Sequence, residues 1–310
     1  MEKIKSLTRS LIFISACILQ CFSQYGFAQE PKSKTAYNGS IRSLKQDYLE
    51  ARTKFKTTLI KHHGSPQNPE AADSANMPPP GVSQIFFKSG NDLTLKAWIN
   101  VPKNGRHPAI VFLHGGLSFG KGDWDMTKPF RNAGFVVITP NLRGENGQPG
   151  MFTFLYDEVN DAIAAAEYLK QQPFIDSKRV YLAGHSVGGI LALLTSMSCK
   201  YFKKAASFSG LPDMVLYHRY VIDPKEIPFD TTDMREFQMR SPMTYANSFK
   251  CPVRMYFGTE EPWIMGSTSQ QTAAIAKKNG LDVEAIDVQG GHMSAVDGEM
   301  KLAIKFFNQK

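Results

Sequence analysis

The segment Gly-His-Ser-Val-Gly-Gly at residues 184–189 decides the fold prediction for this chain of 310 residues. It lies between a predicted strand at 179–183 and a longer apolar run at 187–198 that favours a helix. A serine on a sharp turn from a strand into a helix needs glycine neighbours, because its backbone is strained and the strand and helix pass close together. Such a turn lifts the hydroxyl into a cleft. We therefore predict that Ser186 is a nucleophile.

Short apolar strands and helices alternate along most of the chain on both sides of this turn. The pattern predicts strands at 83–87, 93–101, 109–113, 135–139, 179–183, 205–209, 253–257 and 283–288, and helices at 125–133, 157–170, 187–198 and 268–278. The runs at 109–113 and 135–139 are apolar throughout, which is typical of strands covered by helices on both faces of a sheet. The alternation predicts an α/β fold with a mostly parallel sheet, preceded by an antiparallel hairpin at the first two strands.

One segment interrupts this alternation. Residues 211–248 contain aromatic, proline and methionine residues without a clear period. Two interpretations stay open: a cap-like insertion that shapes a pocket, or a surface excursion that does not contact substrate.

A glycine-containing stretch, His-Gly-Gly-Leu at residues 114–117, directly follows a predicted strand. Backbone without side chains lets N–H groups approach a reacting carbonyl oxygen, so Gly116 or Leu117 can donate one hydrogen bond of an oxyanion hole. Val187 opens the helix after the serine, and its N–H has no acceptor within that helix. We therefore predict an oxyanion hole made by Val187 and by Gly116 or Leu117, with the His114 side chain ordering the loop.

A serine nucleophile needs a base, because its hydroxyl is hardly ionised at neutral pH. His292 follows the predicted strand at 283–288 and the glycine pair at 290–291. It therefore lies on a loop at the carboxyl end of the last strand, the edge toward which Ser186 also points. We predict that His292 is the base. A carboxylate should hold its imidazole in the correct tautomer.

Together these motifs resemble the α/β-hydrolase fold, and within it the prolyl-oligopeptidase and dienelactone-hydrolase branch. The resemblance covers residues 82–307 and also includes Phe-Ile-Asp at 174–176 and Ser-Pro at 241–242 ahead of Cys-Pro-Val at 251–253. It implies a serine hydrolase that needs no cofactor, built on a mostly parallel sheet with helices on both faces and a small insertion after the sixth strand.

The resemblance also selects the acid. The family places it three residues after a strand-ending glycine, with an aliphatic residue three positions further on. Gly258, Glu261 and Ile264 fit this spacing, whereas Glu260 does not. The usual residue is Asp, so Glu261 departs from the family pattern by one methylene group, which a small shift of the loop can absorb.

Composition and charge exclude several classes of protein. With 42% hydrophobic and 21% charged residues, the chain is typical of a globular protein and not of a disordered or fibrous one. The net charge is +8, but no cluster of Lys and Arg is interleaved with aromatic residues, so no nucleic-acid partner is predicted. No spacing of Cys and His suggests a structural zinc site.

The first 28 residues predict a signal peptide for export to the periplasm or the exterior. They have a basic start, an apolar run at 11–22 and small residues before Ala28, after which cleavage is expected. Polar residues interrupt the run too early for a membrane span. A lipid anchor at Cys17 is the alternative. Of the cysteines outside this segment, Cys199 and Cys251 either form a disulfide or are two buried thiols.

Residues 29–81 are expected to be a leader and residues 82–310 the catalytic domain. The leader should contain one amphipathic helix that packs on the main domain, with a dimer contact as the alternative, followed by a Pro-rich linker at 64–80. The helix is inferred from apolar residues at helical spacing: Ile41, Leu44, Tyr48, Phe55 and Leu59.

The sequence thus predicts an exported serine hydrolase that cleaves a small or polymer-borne carboxylic ester through an acyl-enzyme, with the oligomeric state left open. About eighty residues precede the hairpin, which is too few for the propeller carried by many peptidases of the family. Amide cleavage also requires that the base protonate a poor leaving group. The alternatives are a peptidase of the prolyl-oligopeptidase type and a catalytically inactive binding member of the fold.

Overall fold

An eight-stranded sheet organises the computed structural model, which describes residues 43–62, 64–65, 77–90 and 93–309. The strands are β1 (Ser83–Ser89), β2 (Leu93–Ile99), β3 (His107–Leu113), β4 (Val136–Pro140), β5 (Ile175–His185), β6 (Ala205–Phe208), β7 (Val253–Gly258) and β8 (Val283–Val288). Their spatial order is β1-β2-β4-β3-β5-β6-β7-β8. β2 pairs antiparallel with β1 and β4, and all other neighbouring strands are parallel. The predicted mostly parallel α/β sheet is confirmed.

Helices cover both faces of the sheet. They are α1 (Tyr48–Thr53), α2 (Lys121–Met126), α3 (Lys128–Asn132), α4 (Glu158–Gln171), α5 (Val187–Ser198), α6 (Met214–Tyr220), α7 (Met234–Met239), α8 (Trp263–Lys278) and α9 (Val296–Asn308), with 3-10 turns at Pro224–Glu226 and Pro242–Tyr245. Side chains of α4, α5 and α8 enter one apolar core, and those of α2, α3 and α9 enter a second, aromatic-rich core. Every residue of α5 is buried, because this helix lies directly on the sheet.

The helix predicted at 125–133 is in fact two short helices. α2 ends and α3 begins at Thr127, whose hydroxyl donates to the carbonyl of Trp124 at 2.7 Å. Pro129 lies in the first turn of α3, where its missing N–H costs nothing, whereas in the middle of one continuous helix it would remove a hydrogen bond.

The leader helix is shorter than predicted, and the prediction that it extends to Leu59 is wrong. Asp47 caps α1, which ends at Thr53, and Leu59 instead forms an isolated antiparallel bridge with Phe229. The N–H of Ile60 donates to the carbonyl of Pro228 at 2.8 Å. Backbone groups that a helix would satisfy internally are thus satisfied by the 211–248 insertion.

The 211–248 insertion after β6 packs as part of the domain. Phe229, Phe237 and Met239 are buried in the same core as α4 and α5. The leader docks on it, since the Tyr48 hydroxyl donates to the carbonyl of Met239 at 2.9 Å. The insertion is therefore integrated into the fold and joined to the leader.

Several predicted features lie outside the described residues. These are the signal peptide at 1–28 with Cys17, most of the linker at 64–80, and the tip of the β1–β2 turn at 91–92. Within the part of the chain that the structure describes, none of the helices combines the length and apolar character needed to cross a membrane.

Candidate active site

The serine turn has the strained geometry that the sequence predicts. Ser186 directly follows β5, caps α5 and has φ 55° and ψ −117°, in the left-handed region that a non-glycine residue rarely adopts. Its N–H donates to the carbonyl of Phe208 at 2.8 Å. Strain of this kind persists only where the surrounding structure imposes it. Here the unusual backbone conformation directs the Ser186 side chain away from β5 and α5.

The flanking glycines are required by close backbone contacts. A Cβ atom on Gly184 would lie 2.1 Å from the carbonyl oxygen of Gly188, and one on Gly188 would lie 2.2 Å from that of Leu113. Both distances are far below van der Waals contact. The glycines therefore let β5, α5 and the end of β3 meet around Ser186.

The loop predicted to form half of the oxyanion hole lies against this turn. A Cβ atom on Gly115 would be 3.6 Å from the Cβ atom of Ser186, so the two loops are in contact. Gly116 has φ +66° and is exposed, and its backbone turns away from β3 at this point. Val187, the first residue of α5, contributes an N–H without an intrahelical acceptor.

The buried side chain of His114 holds that loop in place through two hydrogen bonds. Its Nδ1 lies 3.0 Å from the carbonyl oxygen of Gly115, and its Nε2 lies 3.0 Å from a Glu145 carboxylate oxygen. Burial alone would lower the pKa of His114, but the Glu145 carboxylate raises it to about 9. The imidazolium then donates from both nitrogens. The peptide unit between Gly115 and Gly116, which carries the N–H of Gly116, is held in one orientation.

Glu261 and His292, the predicted acid and base, are in contact. His292 Nδ1 lies 2.6 Å from Glu261 Oε1. The other oxygen, Oε2, accepts hydrogen bonds from the N–H of Gly258 at 2.7 Å and from the hydroxyl of Ser209 at 2.8 Å. Burial would raise the pKa of Glu261, but the hydrogen bonds from His292, Gly258 and Ser209 lower it below its usual value. The carboxylate is therefore ionised and fully engaged.

Glu260, the alternative acid, faces elsewhere. Its side chain is exposed and accepts a hydrogen bond from the Gln289 amide at 2.8 Å. Its backbone N–H donates to the carbonyl of Gly290 at 2.9 Å, which joins the loop after β7 to the loop after β8. Glu260 thus connects the two loops through hydrogen bonds, while Glu261, the next residue, contacts His292.

His185 connects the serine turn to the histidine loop. Its ring lies 4.8 Å from the ring of His292, and its Nε2 lies 3.1 Å from the carbonyl oxygen of His292. Burial and the neighbouring His292 lower the pKa of His185 to about 3, so it is neutral and donates from Nε2 to that carbonyl. Since His185 directly precedes Ser186, this contact holds His292 beside the serine turn.

Five loops therefore converge at one edge of the sheet, after β3, β5, β6, β7 and β8. The sequence model of the prolyl oligopeptidase family (peptidase S9) matches residues 123–308, which is more than half of the chain. The chain belongs to the prolyl oligopeptidase family. Together with its structural neighbours, this membership makes the chain a serine hydrolase of the α/β-hydrolase fold.

Relatives of known name include peptidases and an esterase. An uncharacterized peptidase of Bacillus subtilis, YtmA, is 29% identical over 188 residues, which are 55% of this chain and 70% of YtmA. A puromycin-hydrolyzing peptidase of Mycobacterium tuberculosis superposes with a TM-score of 0.64 at 21% identity, covering 74% of this chain and 40% of that one. Esterase 2 of Thermogutta terrifontis gives a TM-score of 0.58 at 21% identity, covering 76% of this chain and 95% of the esterase.

The chain spans less than half the length of several peptidases that it resembles. It covers 40% of the acylaminoacyl peptidase of Pyrococcus horikoshii, with a TM-score of 0.56. At such identities the structural likeness shows the shared fold, and the choice of substrate has to come from the site itself.

Two residues of this candidate active site, Ser209 and Glu299, were not predicted from the sequence. Ser209, at φ 51°, follows β6 and holds Glu261. Glu299, in the first turn of α9, is fully buried behind Ser209. Ser209 could have been noticed because it ends a strand at the edge where Ser186 and His292 also lie. Glu299 carries no such signal.

The remaining candidate groups lie away from these loops. Cys199 and Cys251 are free thiols, and burial raises the pKa of Cys199 to about 11 and that of Cys251 to about 12. Among the described residues, no group of three or more His, Cys, Asp or Glu side chains is arranged to hold a metal ion.

Proposed function

We propose that this serine hydrolase cleaves carboxylic esters outside the cytoplasm, with Ser186 as nucleophile, His292 as base and Glu261 as the acid that orients the base. The observation that carries the proposal is the carboxylate–imidazole contact of 2.6 Å between Glu261 and His292, next to a serine at φ 55°. A geometry of this kind supports acyl transfer, because the carboxylate orients the imidazole of a histidine that lies beside the serine turn.

The reaction proceeds in two balanced halves. The Ser186 oxygen bonds to the ester carbonyl carbon while His292 Nε2 takes the hydroxyl proton, and the resulting oxyanion accepts hydrogen bonds from Val187 and from Gly116 or Leu117. When the C–O bond to the alcohol breaks, His292 returns the proton to the leaving alcohol. Water then repeats the sequence on the acyl-enzyme and releases the carboxylic acid and free Ser186.

The carboxylates of the 211–248 insertion favour an ester as the substrate over a peptide with a free amino terminus. Such a peptide needs carboxylates that are free to bind its ammonium group. Five of the six carboxylates of the 211–248 insertion already accept local hydrogen bonds: Asp213, Asp223, Asp230, Asp233 and Glu236. Glu226, the sixth, is half-buried, and burial raises its pKa, which disfavours the charged form that an ammonium group would bind.

A peptidase is the second candidate, supported by membership of a peptidase family and by relatives named as peptidases. We expect kcat/KM for a chromogenic acetate ester to exceed that for prolyl and alanyl anilides by far more than the intrinsic reactivity of esters explains, because burial disfavours the charged form of Glu226, the carboxylate of the insertion that could bind an amino terminus. The comparison uses both substrates on one enzyme preparation, with Glu226→Gln as a second sample. An anilide rate that approaches the ester rate, and that falls in Glu226→Gln, would establish the peptidase.

Export is the other part of the proposal, and it rests on the basic start, the apolar run at 11–22 and Ala28. We expect protein recovered from the extracytoplasmic fraction of a bacterial host to begin at Gln29. The measurement is the mass of the amino-terminal peptide. Cleavage there leaves every described residue in the mature chain. A lipid-modified peptide that begins at Cys17 would instead establish an anchor, and an intact Met1 would refute export.

A further inference from the structure

A second carboxyl group lies behind the proposed catalytic acid. Glu299 belongs to the first turn of α9 and is fully buried. Its Oε2 atom has no hydrogen-bond partner among the described residues, and its Oε1 atom lies 3.4 Å from the hydroxyl oxygen of Ser209. An ionised carboxylate in such a place would be a buried charge without compensation, which is strongly unfavourable.

Ser209 stands between the two carboxyl groups. Its hydroxyl oxygen lies 2.8 Å from Glu261 Oε2, much closer than to Glu299. The residue has φ 51°, and its N–H donates to the carbonyl of Tyr256 at 2.8 Å, so its backbone is held in a position that a serine rarely adopts. The side chain is thereby directed between Glu261 and Glu299.

The single hydroxyl proton of Ser209 determines the protonation state that we assign to Glu299. A serine hydroxyl carries one hydrogen, and Ser209 gives it to the ionised Glu261. The contact between Ser209 and Glu299 can then be a hydrogen bond only if Glu299 is protonated and donates to the Ser209 oxygen. With Glu299 ionised, lone pairs on two oxygens would face each other in a buried site.

We propose that Glu299 is a positioning residue that stays protonated and, through Ser209, holds Glu261 in the orientation in which it binds His292. This inference rests on the proposed function, because it gives Glu299 a role through the catalytic acid. The connection runs from the Glu299 carboxyl proton to the Ser209 oxygen, from the Ser209 proton to Glu261 Oε2, and from Glu261 Oε1 to His292 Nδ1.

The surroundings of Glu299 favour its neutral form. Burial and the charge of Glu261 raise the pKa of Glu299 to about 8. Tyr256 of β7 is the other titratable group that faces it, and burial raises the pKa of that phenol, so it is neutral as well. The uncharged Ser209, which directly follows β6, faces Glu299 from that strand. From α3, which also packs against α9, the Arg131 guanidinium lies over the Trp124 ring instead.

A dependence on pH follows. Below about pH 8 the carboxyl of Glu299 is protonated and Ser209 is held on Glu261. As the pH rises through this value, Glu299 ionises and competes for the single Ser209 proton, so Glu261 loses part of its support. We expect kcat/KM to decline on the alkaline side for this reason.

Two substitutions at Glu299 test the proposal against a matched control. In Glu299→Gln the amide N–H donates to Ser209 at every pH, so the alkaline decline near pH 8 should vanish. In Glu299→Leu no donor remains, and kcat should fall about tenfold with little change in KM, because the ester itself is not contacted. The control is Asp297→Asn, an exposed residue of the same turn that pairs with Lys301 and should leave the pH profile unchanged.

A stability measurement tests the same carboxyl without using activity. The pKa of Glu299 is higher in the folded protein than in the unfolded chain, so its protonation stabilises the fold at low pH and this contribution is lost as the pH rises through about 8. The Tm of Glu299→Gln minus that of the wild type should therefore increase from about pH 5 to about pH 9. A constant difference would overturn the proposal, even if the wild type were inactive on esters.

The outcomes separate the inference from the proposed function. A wild-type enzyme that hydrolyses esters, together with a Glu299→Gln variant that keeps the alkaline decline, would refute the role of Glu299 alone. A wild type that hydrolyses no ester and binds no fluorophosphonate would refute the proposed function, and the Tm comparison would still decide the protonation of Glu299.

Discussion

Replacing Ser186 with alanine is expected to abolish covalent labelling by a fluorophosphonate probe and to lower ester turnover about 10⁴-fold or more. The reason is that the variant keeps the oxyanion donors but has no oxygen to form the acyl-enzyme. The measurement combines in-gel labelling with kcat/KM on an acetate ester. Persistent labelling of Ser186→Ala would assign the nucleophile to another residue.

The control for this experiment lies on the same strand. Ser177 is exposed near the beginning of β5, far along the strand from the serine turn, and Ser177→Ala should label like the wild type. His292→Ala should be nearly as inactive as Ser186→Ala, and the double variant no worse than either, because members of a triad act as a unit. Additive losses would indicate that the two residues serve separate steps.

Exchanging Glu261 for glutamine should cost about 10³-fold or more in kcat, whereas Glu260→Gln should stay close to the wild type. The geometry gives the reason. The N–H of Gly258 and the hydroxyl of Ser209 both donate to Oε2, so the glutamine carbonyl oxygen must take that place. Its NH₂ group then faces His292 Nδ1. The histidine is forced to accept at Nδ1 and to carry its proton on Nε2, where it cannot take the serine proton.

The pair of variants is informative because the two residues are neighbours in the chain. Glu260→Gln removes the same charge from the same loop but leaves a side chain that can still bind Gln289. Activity should be measured over a range of pH for both variants. If Glu260→Gln were the inactive one, the acid would be Glu260 and the contact between Glu261 and His292 would be structural.

The elements that the sequence predicted well are those whose pattern is local. The apolar run at 187–198 is confirmed as α5, and the run at 283–288 as β8, because each run carries its own pattern within a short stretch of sequence. The leader helix failed for the opposite reason. Its apolar spacing is compatible with a helix up to Leu59, but hydrogen bonds from a segment far along the chain determine the conformation after Thr53.

The same distinction applies to the site. Ser186 and His292 were predicted because each follows a recognisable strand, and Glu261 was chosen over Glu260 by the family spacing; the structure places all three at one edge of the sheet. Glu299 was missed because its significance depends on α9 placing it behind Ser209, at a distance of 90 residues in sequence. No motif in the amino-acid sequence indicates a buried carboxyl group whose proposed role depends on its being protonated.

The docking of the leader has a consequence for how the chain folds. Tyr48 bonds to the carbonyl of Met239 and to the hydroxyl of Ser248, contacts that span 191 and 200 residues of sequence. Ser65 bonds to the carbonyl of Leu117, on the loop of the proposed oxyanion hole. The two contacts of Tyr48 therefore join segments that lie far apart in the sequence. Contacts of such long range close large loops, so we expect the docking of the leader on the insertion to slow the folding of the domain.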